Sequence, residues 1–161
     1  MKYRYDQITS DFQCKHCRQF ITTDPSISGV NNRNHCPYCL WSRHMDLETA
    51  GDRLSACKGL MQPVGLTLKE SHKKYNRQHG ELMIIHHCTE CGKLSINRIA
   101  ADDLNETLLQ VFEASIHLNL GLRQQIQQSG IHLLNAADES VVHARLYGWD
   151  HPAPVLQRSF A

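Results

Sequence analysis

The chain has 161 residues, 41% of them hydrophobic, with 17 Lys+Arg against 16 Asp+Glu and seven cysteines. That length allows one domain or one and a half, with a core of its own but small enough for metal to help a loop-rich part fold. A transmembrane helix is excluded, because no uninterrupted apolar run approaches the roughly 20 residues that a bilayer requires.

The start, Met1-Lys2-Tyr3-Arg4-Tyr5-Asp6, is polar and lacks an apolar segment of signal-peptide type, so a cytoplasmic location is expected. In a reducing compartment an odd number of closely spaced cysteines points to metal rather than to disulfides. The net charge of +1 is unevenly spread. Residues 1–99 hold 14 Lys+Arg against 9 Asp+Glu, and residues 100–161 hold 3 against 7. A basic half that also binds metal gives a modest push toward a polyanionic partner.

Short apolar runs broken by turn residues fill the chain up to about Arg98, the pattern of small strands and knuckles. Phe12-Gln13 leads into Cys14-Lys15-His16-Cys17 and Phe20-Ile21 leads out, so the first cysteine pair reads as a hairpin tip. Asp24-Pro25-Ser26-Ile27-Ser28-Gly29 reads as a loop. A second knuckle, Cys36-Pro37-Tyr38-Cys39, lies in the stretch 32–46 that also holds His35, His44, Arg33 and Arg43. Residues 64–68 and 82–86 read as a hairpin with a long polar insertion, and residues 94–99 as a strand leaving the third knuckle, Cys88-Thr89-Glu90-Cys91.

After Ala100 the apolar period becomes helical. Asp103-x-x-Glu106 reads as a capping box, followed by Leu104, Leu108, Val111, Phe112 and Ile116 at helical spacing. Leu122 and Ile126 suggest a second helix ending at Ser129-Gly130, and residues 136–147 a third, capped by Asn135 and ended by Gly148. The tail with Pro152 and Pro154 is expected to fray. The predicted class is therefore α+β, with a small β zinc-ribbon domain over residues 1–102 and a helical segment over residues 103–161. That segment is expected to pack on the ribbon or on a second copy.

Cys14, Cys17, Cys36 and Cys39 form two Cys-x-x-Cys pairs 18 residues apart, a spacing suited to one four-cysteine zinc site. Four thiolates close a tetrahedral shell and leave no position for substrate, so the expected role is structural. Cys57, Cys88 and Cys91 remain and need a fourth ligand. A Cys3His site is the standard solution, with His35, His44 and His86 as candidates. His44 is preferred, because five residues beyond the second knuckle it can turn away from the first site, whereas His35 abuts Cys36 and His86 can support Cys88 from its strand. Two zinc ions per chain are predicted.

Arg33-Asn34-His35-Cys36-Pro37 resembles the signature of the RNHCP domain family. The resemblance continues through Ser42-x-His44-x-Asp46, Gly51-Asp52-Arg53, Cys57-x-Gly59-Leu60-Met61-x-Pro63 and Gly65. It resumes at His86-x-Cys88-Thr89-x-Cys91-Gly92 and at Asn97-x-Ile99-Ala100-x-Asp102-Asp103. It covers roughly residues 10–103 and implies a small bacterial-type zinc-ribbon protein, with little said about function.

Three functions compete. The leading one is a non-enzymatic module that binds RNA, or associates with the ribosome, through Arg33, Arg43, Arg53, Lys93 and Arg98, with Trp41 and Tyr38 offered for stacking. A second is a protein adaptor that docks through the acidic helices. The third is a His-Asn-His-type nuclease, for which Asn34, His35, His44 and Asp46 supply pieces but no strand-turn-helix between knuckles.

Overall fold

Two antiparallel sheets carry the cysteines in the computed structural model, which describes residues 11–70 and 80–148. The polar insertion at 71–79 and the tail with Pro152 and Pro154 lie outside the described residues. Strands β1 (Phe12–Gln13) and β2 (Phe20–Ile21) form the first hairpin. Strands β3 (Ser42–Arg43), β4 (Leu60–Lys69), β5 (Glu81–Cys88) and β6 (Leu94–Arg98) form a four-stranded meander in that order.

The expected hairpin is longer at both ends than residues 64–68 and 82–86. Pro63 inside β4 has no N–H to give the ladder, and the register shifts between Pro63 and Gly65 to absorb it. The short strand β3 carries no apolar alternation and is set by pairing with Leu60 and Met61.

Helices from the second half of the chain cover both faces of this sheet. Leu66, Leu82 and Ile84 pack with Leu108, Phe112, Leu134 and Val142. Val64 and Ile85 pack with Ile126. Ile84 and Ile85 are neighbours on β5 and so point to opposite faces. This explains the nearly continuous burial of β5. Each such fully buried aliphatic or aromatic side chain contributes about 1.5–3 kcal/mol relative to exposure. At Gly65 the approach is close enough that a Cβ would lie 2.4 Å from Leu133 Cδ1.

Four α-helices among the described residues follow local signals, with three corrections to the expected ones. The stretch expected as a loop contains the single turn α1 (Pro25–Ser28), with Asp24 Oδ1 accepting Ser26 N–H at 2.8 Å and Gly29 closing it at φ 69°. Helix α2 (Asn105–Ile116) is capped by Leu104 without a side-chain bond, so the predicted capping box at Asp103 and Glu106 does not form. Asp103 is buried and turned toward Arg33, His35 and the N–H of Ala100. Charge-assisted bonds out of water outweigh a cap worth about 1 kcal/mol.

Helix α3 (Leu120–Gln128) is capped by Asn119, whose Oδ1 accepts Leu122 N–H at 2.9 Å. The expected third helix is split into a 3-10 turn, Ala136–Asp138, with a capping box at Asn135, and helix α4 (Glu139–Tyr147), ended by Gly148. No helix among the described residues is long and apolar enough to cross a membrane.

Candidate metal centres

Each Cys-x-x-Cys turn is built in the same way. The residue after the second cysteine returns its N–H to the carbonyl of the first: Arg18 to Cys14 at 3.0 Å, Leu40 to Cys36 at 2.8 Å and Gly92 to Cys88 at 3.0 Å. The next residue accepts the N–H of the first cysteine, through Gln19, Trp41 and Lys93 carbonyls at 2.8–2.9 Å. This closure forces the left-handed region at Arg18 (φ 66°), Leu40 (φ 60°) and Gly92 (φ 75°). Only the third knuckle meets that demand with glycine, the residue that adopts it without steric cost.

Cys14, Cys17, Cys36 and Cys39 form the first set, their sulfurs all within 4.8 Å of one another. Cys14 and Cys39 are 3.7 Å apart and Cys17 and Cys36 3.5 Å. A tetrahedron with metal–sulfur bonds of about 2.3 Å has edges of about 3.8 Å, so the donor set fits one such ion. All seven cysteines are free. The Cys36 thiol is pushed down to about 5, first by the hydrogen bond from Cys39 and then by the N–H groups of Cys39 and Tyr38. The thiolate is the ligating form.

Cys57, Cys88, Cys91 and His44 form the second set, again within 4.8 Å. Cys57 and Cys88 are 3.7 Å apart, and Cys91 Sγ lies 3.2 Å from His44 Nδ1. Nδ1 is therefore the nitrogen offered, and burial followed by the nearby Lys93 charge lowers His44 below the ordinary histidine range, favouring the neutral ring that ligation needs. Burial opposes ionisation of Cys88, but N–H groups of Cys91 and Glu90 and the neighbouring thiols outweigh it and lower its pKa. A Cβ at Gly59 would come 3.1 Å from Cys88 Sγ and 2.5 Å from Glu90 Cγ, so the turn passes close to the donors.

The other two candidate histidines stand elsewhere. His35 Nε2 meets Asp103 Oδ2 at 2.8 Å, and Arg33 reaches Asp103 at 3.1 Å and Asp102 at 2.8 Å. His86 Nε2 donates to Leu40 O at 2.7 Å while its Nδ1 accepts from Asn97 Nδ2 at 2.7 Å. Burial, then the nearby His35, pushes His86 down to about 3, against the carbonyl of Leu40. Arg33 and His35 in the signature thus clamp the second knuckle to the start of the helical segment. That role had no local signal, since 68 to 70 residues separate the partners.

The clamp removes Arg33 from the phosphate-facing residues proposed from sequence, because its side chain has no exposure. Arg98 is exposed and paired with Glu81 at 2.6 Å. Lys93 donates to Leu47 O and lines, with His44, a cavity of ≈ 260 Å³ of mixed polar and apolar lining. Trp41 lies half-buried, stacked on exposed His16 with ring centroids 4.2 Å apart and planes 5° from parallel.

Arg43 and Arg53 do converge, with Lys15, Phe12, Met45 and Asn34, around a cleft of ≈ 560 Å³. Sequence reasoning missed Lys15 and Phe12 there, because their place depends on how the first hairpin folds against β3. Arg53 is held in the left-handed region at φ 55° by Asp46, which accepts its N–H at 3.0 Å and that of Gly51 at 2.8 Å.

The fold and these two donor sets define a small α+β protein with knuckle-like cysteine clusters, each cluster able to hold a metal ion. A model of the RNHCP domain matches residues 9–109, and the chain belongs to that family. No curated protein and no solved structure matches the chain.

Proposed function

We propose that each set holds one zinc ion, two per chain, and that the chain is a non-enzymatic cytoplasmic module that binds RNA. Thiolate and imidazole donors at tetrahedral spacing suit zinc, and four protein ligands per ion favour a structural role over a catalytic one. Elemental analysis of protein purified without added metal is expected to give two equivalents of zinc; a single equivalent, or iron, rejects the assignment.

One observation carries the RNA reading: Lys15, Arg43 and Arg53 come together around a cleft with no carboxylate among the described residues that line it. Guanidinium forks match phosphate geometry, and the Trp41–His16 pair beside the first knuckle offers an aromatic face. The helices spend Leu108, Phe112 and Val142 on the sheet, which weakens the adaptor reading. His35 is bound to Asp103 and His44 belongs to a donor set, which weakens the nuclease reading. Anisotropy of labelled single-stranded RNA, titrated with metal-loaded protein, should show affinity that falls steeply with salt as counterions are released. Binding that ignores salt, or no binding at low salt, rejects this partner.

A further inference from the structure

The lining of the cleft between the first hairpin and β3 combines two kinds of chemistry. Lys15, Arg43 and Arg53 supply positive charge, while Phe12 and Met45 supply apolar surface and Asn34 an amide. Arg33 also lines it, but Asp102 and Asp103 take its charge. Arg43 gives hydrogen bonds to Lys58 O at 3.3–3.4 Å, and Arg53 lies 3.6 Å from Asp46 and 3.4 Å from Arg33 O. Those contacts are long, and they fix the two side chains in place without a close ion pair. Lys15 is exposed.

A ligand that satisfies both kinds carries a negative group for the cations and an apolar body with hydrogen-bonding edges for Phe12, Met45 and Asn34. At ≈ 560 Å³ the cleft lies in the range of small-molecule sites. We infer that this cleft binds one nucleotide, its phosphate against Lys15, Arg43 and Arg53 and its base against Phe12 and Met45, with Asn34 placed to meet a base edge. The inference deepens the RNA reading and rests on it for the source of the nucleotide, which is a residue of a single strand. A free mononucleotide offers the same chemistry.

Two probes separate these sources: a short single-stranded RNA and adenosine monophosphate. Binding to zinc-loaded full-length protein is followed by anisotropy and by backbone amide shifts. The triple variant Lys15→Gln, Arg43→Gln, Arg53→Gln is compared with Lys69→Gln, which removes an exposed charge that does not line the cleft. Metal content and circular dichroism check that each variant is folded, and Lys15→Gln alone serves if the triple variant is not.

The cleft variant is expected to lose RNA affinity by tenfold or more and to flatten the logarithmic salt slope by about two, at roughly 0.7 per phosphate contact on a single strand. Lys15→Gln alone should lose about threefold and flatten the slope by about 0.7. The control should match wild type, and adenosine monophosphate in millimolar excess should shift the Phe12 and Lys15 amides. RNA affinity unchanged in the folded cleft variant overturns this site and leaves the RNA reading standing. Shifts with the mononucleotide but no RNA binding support the site and overturn the RNA reading. Neither response overturns both.

Discussion

The first donor set sits in a cluster with Ile21 and Phe12 as its apolar neighbours besides its own cysteines, whereas the second is attached to a four-stranded sheet with helices over both faces. Burial runs the other way. In the first set Cys14 and Cys36 are buried and Cys17 and Cys39 half-buried; in the second, Cys57 and Cys91 are exposed. A hairpin of two-residue strands cannot hold itself together, so a metal bound in the first set would supply folding energy. The sheet can fold around its own core, so a metal in the second set would fasten the Cys57 loop and the third knuckle to something already formed.

The largest expected effect breaks the comparison at its strong end. Cys36→Ser should lose one zinc equivalent and unfold the first hairpin and the second knuckle, up to about Cys39, since structural zinc is worth roughly 10–16 kcal/mol to a small finger. Cys57→Ser should lose the other equivalent and keep the amide-exchange protection of β4 and β5. Equal loss of protection in both variants would show that the sets are equivalent supports. Wild-type protein challenged with a chelator or a thiol reagent should yield the second set first, by mass spectrometry of modified cysteines, because exposed sulfurs are the accessible ones.

Asp103→Ala tests the link between the two regions. It takes from buried His35 its carboxylate and from buried Arg33 one of two, Asp102 remaining at 2.8 Å, at a cost of about 2–3 kcal/mol in chemical denaturation. A loss below about 1 kcal/mol, the size of a helix cap, would return Asp103 to the capping role. A chain ending at Ala100 should fare worse still. It loses the carboxylates, the cover on Leu66 and Ile84, the Leu104 N–H bond to Pro37 O at 3.1 Å and the Gln125 bond to Gly92 O at 2.7 Å.

Protonation of His86 sharpens the account of the sheet. The unfolded chain takes up its proton near the ordinary 6.5, and the folded chain not until about 3. Between these values the unfolded state binds more protons, so this contribution is full above 6.5 and is lost as pH falls toward 3. Its slope reaches about 1.4 kcal/mol per pH unit. Because thiolates also take up protons, the measured quantity is the difference in denaturation midpoint between wild type and His86→Gln. A difference that stays constant over this range would show that His86 is not held neutral. The smallest effect expected is that of Gln125→Ala, about 1 kcal/mol for one hydrogen bond. It should speed metal loss from the second set and leave the first unchanged.

Local chemistry determined much of this protein from sequence alone. The paired cysteines, the hairpin around Phe12 and Ile21, the long β4–β5 pair, the helical period from Leu104 to Ile116 and the stops at Gly130 and Gly148 all rest on neighbours within a few residues, where spacing is geometry. The RNHCP signature was likewise readable as a string. Its physical role was not: Arg33 reads as a phosphate-facing cation and His35 as a ligand candidate until residues almost 70 positions away bury them against Asp102 and Asp103. The same separation hid the fate of the Asp103 capping box, whereas spacing already favoured His44, which the pairing of β3 with β4 brings to Cys57, Cys88 and Cys91. Tertiary structure alone also gathered Lys15 with Arg43 and Arg53, because a cleft is made by the packing of two hairpin walls and leaves no period in either.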